Sequence, residues 1–227
     1  MKQLFIAVIL ALLFTTCKEE TKDTNNQGVI TYAISYPEEI ANQGFASFLP
    51  EKMISIFKDD HFKLNLSGEF NFYNLEYISR SKGDTCFTLF KIFDKKLFYP
   101  QQPKENLFLF QDQQLPQIEF FEDSVKTIAG IKCTKAVANF KDNKVSSAVL
   151  YYTEELGFSH SNVNTPFSEI PGTLMEFSVV FQGLELSMQA ESVKFKEIDQ
   201  DEFIIPKNYK RTNQNEIKDI VSSLIQL

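Results

Sequence analysis

The side chains that could bind a metal ion are few and far apart in the sequence. The chain has only two histidines, His61 and His160, and neither has the paired spacing of a zinc site. Asp59 and Asp60 precede His61 in a predicted hairpin turn and could hold a metal ion together with it. An acidic turn is more commonly solvated charge, so we predict no metal site and no cofactor.

A hydrolase site would need a nucleophile held beside a base. Ser159, His160 and Glu155 supply the residue types, but neighbours in sequence rarely form this geometry and no Gly-x-Ser-x-Gly turn is present. Further carboxylates for acid–base work flank an aromatic pair and are Glu119, Glu122 and Asp123. Solvated charge on an aromatic strand explains them more simply. The sequence therefore predicts a protein that is not an enzyme, with a hydrolase as the weaker alternative.

Cys17 directly follows a segment typical of a signal peptide, a position at which covalent modification of its thiol is expected. Lys2 provides a positive start, and residues 4–14 contain no polar side chain, a length typical of a signal peptide and too short to span a membrane. The run ends in Phe14-Thr15-Thr16-Cys17, which resembles a lipobox, with Phe14 and Thr16 where Leu and a small residue are usual. We predict a signal peptide over residues 1–16 and lipidation of Cys17. Ordinary secretion is the alternative, although no Ala-x-Ala cleavage pattern supports it.

Residues 17–27 are predicted to be a lipidated cysteine followed by a polar tether, which has too little apolar area to fold. A lipidated Cys17 carries three acyl chains, and two or more chains anchor stably. This predicts an outer-membrane lipoprotein of the cell envelope. Lys18-Glu19-Glu20 resembles the surface-export signal of some lipoproteins, but it could equally be solvated linker charge, so both the periplasmic side and the cell surface stay open.

Composition limits the class of partner. Without Lys2 the mature chain has 22 basic against 30 acidic side chains, a net charge of −8. No basic patch is visible, which excludes nucleic acid as an expected partner. Cys86 and Cys133 both fall on predicted strands in a compartment where disulfides persist. They could form a disulfide or remain two buried thiols.

Alternating hydrophobicity predicts a mainly β fold. From Gly28, Ile30, Tyr32, Ile34 and Tyr36 share one face of a strand. The predicted strands cover residues 28–36, 53–58, 62–67, 70–78, 86–93, 97–99, 107–110, 131–140, 145–153, 174–181 and 184–195. Turn residues at hairpin spacing separate many of them, as in Asp59-Asp60-His61, Asp94-Lys95 and Gln182-Gly183. This spacing indicates an antiparallel meander, predicted as a single domain over residues 28–227.

A short amphipathic helix is predicted at the end of the chain. Asn213, with Glu216 three residues on, is typical of a capped helix start. Apolar residues at helical spacing follow, namely Ile217, Ile220, Val221 and Leu224. The helix could lie across the concave face of the sheet or offer this apolar stripe to a partner.

Five segments together resemble the GLPGLI-type and related domain-of-unknown-function families of secreted bacterial proteins. They are residues 28–32, 127–136, 151–156, 170–174 and 203–210. In place of the motif that names the family, this chain has Glu169-Ile170-Pro171-Gly172-Thr173-Leu174. The resemblance implies a curved antiparallel sheet similar to the half-barrel of periplasmic lipoprotein-carrier proteins, and it implies no catalytic residues.

Two functional hypotheses follow. The first is an envelope lipoprotein whose curved sheet binds an apolar ligand or lipid in its concavity, because such pockets are lined mainly by apolar and aromatic side chains. The second is a membrane-tethered module that docks on an envelope protein through a sheet edge or the C-terminal helix. If the aromatic side chains instead fill a closed core, the first hypothesis loses its basis.

Overall fold

The computed structural model describes residues 26–44, 46–80, 85–102, 105–111, 113–141, 147–158, 161–181 and 183–225. These residues form one open, curved, twelve-stranded sheet and two α-helices. The strands are β1 (Gln27–Ser35), β2 (Lys52–Lys58), β3 (His61–Ser67), β4 (Tyr73–Arg80), β5 (Thr85–Ile92), β6 (Lys95–Pro100), β7 (Gln117–Ile128), β8 (Ile131–Asn139), β9 (Ser147–Thr153), β10 (Thr173–Phe181), β11 (Leu184–Phe195) and β12 (Lys210–Arg211). The helices are α1 (Glu38–Ala41) and α2 (Gln214–Ile225). No helix in this described part is long and apolar enough to cross a membrane.

Two antiparallel meanders make up the sheet. The strand order is β12-β6-β5-β4-β3-β2-β1-β11-β10-β9-β8-β7, so β1–β6 form one meander and β7–β11 the other. They join where β1 pairs with β11, and β12 adds to β6 in parallel. The predicted fold class, a curved antiparallel sheet with a short C-terminal helix, is confirmed.

The strand predicted from Gly28 begins one residue earlier. Gln27, placed in the polar tether by the sequence, is the first residue of β1, and its side-chain oxygen accepts a hydrogen bond of 3.0 Å from the Ile198 amide. Ile30, Tyr32 and Ile34 are buried on one face, as their alternation predicts. We call the face that carries these three residues the inner face. It holds the larger hydrophobic core.

One predicted turn is wrong by one residue. The β5–β6 hairpin turns at Phe93-Asp94 and not at Asp94-Lys95, because Ile92 pairs with Lys95. Phe93 takes a φ of 48°, which turns of this kind usually give to Asn, Asp or Gly. The register is set instead by burial: Phe90 and Leu97 face each other on the inner face, and a one-residue slip would move one of them to the opposite face of the sheet.

The predicted strand over residues 107–110 is also wrong. Phe108–Phe110 form a 3-10 turn, and Leu107 to Phe110 are all buried. A half-exposed strand would bury only alternate residues. A turn lets consecutive apolar side chains enter the core in different directions, which a simple alternation rule does not detect.

The C-terminal helix is confirmed, and it packs on the protein itself. The Glu216 amide donates a 3.1 Å hydrogen bond to Asn213 Oδ1, as expected of an N-cap. Ile217 and Val221 are buried against inner-face residues of β4, β5 and β6. The side chain of Leu224 lies outside the described part of the chain. Because its apolar stripe is used in the core, α2 is a poor candidate for docking a partner.

An outer strap, residues 196–209, covers the opposite face of the first meander. Ile198 and Phe203 are buried there with Ile78 and Leu89. Arg80 Nε donates a 2.7 Å hydrogen bond to the Phe203 carbonyl and ties the strap to β4. The first meander is thus covered on both faces, which fixes the strands that form the cavity described next.

Candidate functional site: an apolar cavity on the inner face

A cavity of about 310 Å³ lies on the inner face of the sheet. Inward-facing residues of four strands form part of its wall, and they are Leu66, Leu75, Phe90 and Leu186. Val221 of α2 and Leu109 of the 3-10 turn close its sides. The cavity lies between two hydrophobic cores. Leu66 and Leu186 belong to the larger core of the inner face, whereas Leu75 and Phe90 belong to the smaller core that packs against α2. The aromatic-rich inner face is therefore not completely filled by its own side chains.

A long connection between β1 and β2 forms one wall of the cavity. We call residues 36–51 the cap segment. It contains α1 and a 3-10 turn at Ala46–Phe48, and it contributes Tyr36, Gly44, Phe48, Leu49 and Pro50 to the lining. Strands that pair directly usually need only two to five connecting residues, and long connections are commonly functional. The cap segment is the element that turns a curved sheet into a site.

A hydrogen bond joins the two ends of the cap segment. The Tyr36 hydroxyl donates to the Pro50 carbonyl over 2.6 Å. Burial raises the pKa of Tyr36, and the nearby Tyr73 and Glu51 add to this effect. Burial also raises the pKa of Tyr73. Both phenols are therefore neutral hydrogen-bonding groups at any physiological pH.

Three phenylalanines, two of them exposed, cluster at the cavity. Phe48 and Phe72 line it, and their ring centroids lie 6.0 Å apart in an edge-on arrangement. Phe72 in turn meets Phe93 at 5.1 Å. Phe48 is 55% exposed and Phe93 is 71% exposed. We call these three residues the aromatic rim. Clustered exposed aromatic side chains at a cavity are typical of a binding surface.

The candidate metal-binding and catalytic residues that the structure describes do not line this cavity. Cys17, Ser159 and His160 lie outside the described residues. His61 is the first residue of β3, not a turn residue, and its ring packs 5.4 Å from that of Phe203 under the outer strap. Among the residues that the structure covers, no group of three His, Cys, Asp or Glu side chains could hold a metal ion.

The structure does not join Cys86 to Cys133. They lie on β5 and β8, with seven strands between these two in the sheet order. The amide nitrogen of Asn164 is 3.1 Å from the Cys86 sulfur, and Cys133 donates a 3.4 Å bond to the Ile131 carbonyl. Burial raises the pKa of the Cys133 thiol to about 11. The sequence left open either a disulfide or two buried thiols, and in the structure Cys86 and Cys133 are two separate buried thiols.

Comparison with known proteins identifies similar folds only. No protein-family model and no curated protein matches the chain. An uncharacterised conserved protein from Thermus thermophilus is similar over 83% of this chain and 91% of its own, with 9% identity and a TM-score of 0.44. A chain of the Pseudomonas aeruginosa MucA/MucB complex is similar over 82% of this chain and 59% of its own, with 8% identity and a TM-score of 0.34. A structure of MucB bound to MucA(peri) is similar over 82% of this chain and 57% of its own, with 8% identity and a TM-score of 0.33.

Proposed function

We propose that this protein is a cell-envelope lipoprotein that binds an apolar ligand in the inner-face cavity. The observation that carries the proposal is the cavity itself, about 310 Å³ of space bounded almost entirely by apolar and aromatic side chains. A fully packed core leaves few voids larger than a water molecule. The volume of the cavity is within the range of roughly 300–1,000 Å³ that small-molecule sites occupy.

The geometry of β1 suits a tethered binding protein. Gln27, the last residue of the expected tether, begins this nine-residue strand, and Tyr36, at the cavity, directly follows its other end. At about 3.3 Å per residue they are about 30 Å apart. The expected tether therefore joins the fold at the end of β1 that is away from the cavity. On the basis of the five segments quoted above, we also propose that the chain is related to the GLPGLI-type families.

Titration with N-phenyl-1-naphthylamine, an uncharged fluorophore that brightens in apolar surroundings, tests the binding function. The purified protein is expected to bind one equivalent saturably, with a Kd in the micromolar range or tighter. A probe that shows no saturable signal, together with native mass spectrometry that finds no co-purified ligand, would leave the aromatic side chains as ordinary core and remove this function.

Metabolic labelling tests the proposed anchor separately. Cells fed an alkyne analogue of palmitate should incorporate it into this protein, and the Cys17→Ser variant should lose the label and leave the membrane fraction. The loss of anchoring should be nearly complete, because each buried methylene contributes about 0.8 kcal/mol and the acyl chains have many of them. Cys133→Ser is the matched control and should keep its label. An unlabelled wild-type protein would contradict lipidation.

A further inference from the structure

The chemistry of the lining limits what the cavity can hold. None of the lining residues that the structure describes has a charged side chain. A charged group taken into such a space would lose its hydration and find no ion partner, which is strongly unfavourable. The ligand end that enters the cavity must therefore be uncharged.

The size of the cavity limits the ligand further. At about 310 Å³ it is at the lower end of the range of roughly 300–1,000 Å³ for small-molecule sites. It extends from the cap segment to Leu109 and Val221, between the two cores. A single apolar chain suits this space better than a pair of chains.

One polar group of the lining is available to a ligand. Among the described lining residues, only Tyr36 and Tyr73 have polar side-chain atoms. The Tyr36 hydroxyl already donates to Pro50, whereas the Tyr73 hydroxyl has no hydrogen-bond partner among the described residues. Tyr73 is held in place by Gly68, where a Cβ would come within 2.3 Å of the Tyr73 ring. The bare glycine lets the ring lie against the backbone beside the aromatic rim.

Charge near the cavity opposes an anionic head group. The cap segment carries Glu38, Glu39 and Glu51 and has no lysine or arginine. Glu51 is close enough to contribute to the raised pKa of Tyr36. A carboxylate placed beside Tyr73 would therefore meet like charge and no nearby counter-ion from this segment.

From these features we propose that the ligand is an uncharged single-chain amphiphile, whose alkyl chain fills the cavity and whose hydroxyl or ester oxygen accepts a hydrogen bond from Tyr73. This inference rests on the proposed binding function and adds the class of ligand. A free neutral lipid and an ester-linked acyl chain of a larger molecule share this chemistry.

Competition against bound N-phenyl-1-naphthylamine separates neutral from anionic ligands. We would use 1-monolaurin and laurate at pH 8, two compounds with the same twelve-carbon acyl chain, both below their micelle concentrations. Monolaurin should displace the probe with a dissociation constant at least about tenfold lower than that of laurate. The methyl ester of lauric acid, which is uncharged and lacks the glycerol, should also compete better than laurate. A methyl ester no better than laurate would contradict the proposed discrimination by charge.

A tyrosine substitution tests the hydrogen bond. Tyr73→Phe should weaken monolaurin by about three- to tenfold more than it weakens the probe, because the lost hydroxyl serves only a ligand that can accept its hydrogen bond. Tyr151→Phe, on β9 and away from the cavity, is the matched control and should change neither affinity. Two results would overturn this inference: laurate that competes as well as monolaurin, or an unaltered monolaurin affinity in Tyr73→Phe. If the probe still binds, the proposed binding function stands in either case. Absence of probe binding would overturn the function and the inference with it.

Discussion

Tryptophan in place of Gly44 is expected to abolish binding of N-phenyl-1-naphthylamine. Gly44 lines the cavity from the cap segment, and a Cβ built there meets no atom within 4 Å. The indole therefore has room without displacing the backbone, and because Gly44 lines the cavity we expect the indole to take up space that the ligand needs. We expect the dissociation constant to rise at least about thirtyfold, equivalent to about 2 kcal/mol of binding free energy.

Two further variants make this prediction specific to the cavity. Ser47→Trp adds the same side chain three residues further along the cap segment, at an exposed residue that does not line the cavity, and should bind like wild type. Leu184→Asp introduces a carboxylate into the lining at the start of β11 and should weaken binding to a similar degree as Gly44→Trp. Circular dichroism would establish that each variant is folded. Unchanged probe affinity in both Gly44→Trp and Leu184→Asp would exclude this cavity as the binding site.

Alanine in place of Gly172 is expected to destabilise the fold strongly, and more than alanine in place of Gly183. Gly172 has a φ of 73°, and an added Cβ would lie 2.0 Å from the Thr153 carbonyl oxygen, a backbone atom that cannot rotate away. The carbonyl of Gly172 also accepts hydrogen bonds from buried Ser161 and Asn162, at 2.8 and 3.0 Å. Moving the backbone to relieve the clash would strain these bonds. We expect a loss of at least about 3 kcal/mol in the free energy of unfolding.

Gly183→Ala separates the clash from the cost of the backbone conformation. Gly183 has a similar φ of 79°, but a Cβ there meets nothing within 4 Å. The left-handed conformation alone should cost about 1–2 kcal/mol. Urea unfolding followed by circular dichroism measures both variants. Equal losses in the two would show that the approach of Gly172 to Thr153 does not constrain the fold.

Much of the sheet could be predicted from the sequence, because burial on one face imposes a strict alternation. The β2–β3 hairpin illustrates this: Phe62, Leu64 and Leu66 alternate, Asp59 and Asp60 supply the turn, and Lys58 pairs with His61 around it. The N-cap of α2 is equally local, since Asn213 needs only the amide three residues on. Such features depend on neighbours in sequence, and the residue types there have few alternatives.

The elements that the sequence did not reveal depend on distant contacts. Leu107 to Phe110 read as a strand, but they are surrounded by apolar residues on every side and form a turn. Phe93 takes a positive φ because the pairing of β5 with β6 requires it, against its own preference. The pairing of β1 with β11, which joins the two meanders, links residues about 160 positions apart, as between Gly28 and Phe195. No local pattern specifies that contact.

The cavity was the least predictable feature, because it is a space between elements and not a property of one segment. The clue available in the sequence was the break in alternation over the cap segment, which ends in the apolar run Phe48-Leu49-Pro50 before Glu51. Whether the aromatic side chains fill the concavity or leave room in it depends on how α2, the 3-10 turn and the cap segment meet. The structure brings Val221, Leu109 and Leu49 to the same cavity from three such elements.

Methyl NMR of the protein during titration with N-phenyl-1-naphthylamine tests the central claim most directly. The methyl signals of Leu66, Leu186 and Val221, which line the cavity, should shift together and saturate at one equivalent. Those of Leu89 and Leu150, buried elsewhere in the fold, should stay in place. Shifts confined to residues outside the cavity, or no saturable shift in the lining methyls, would contradict an apolar binding site on the inner face of this sheet.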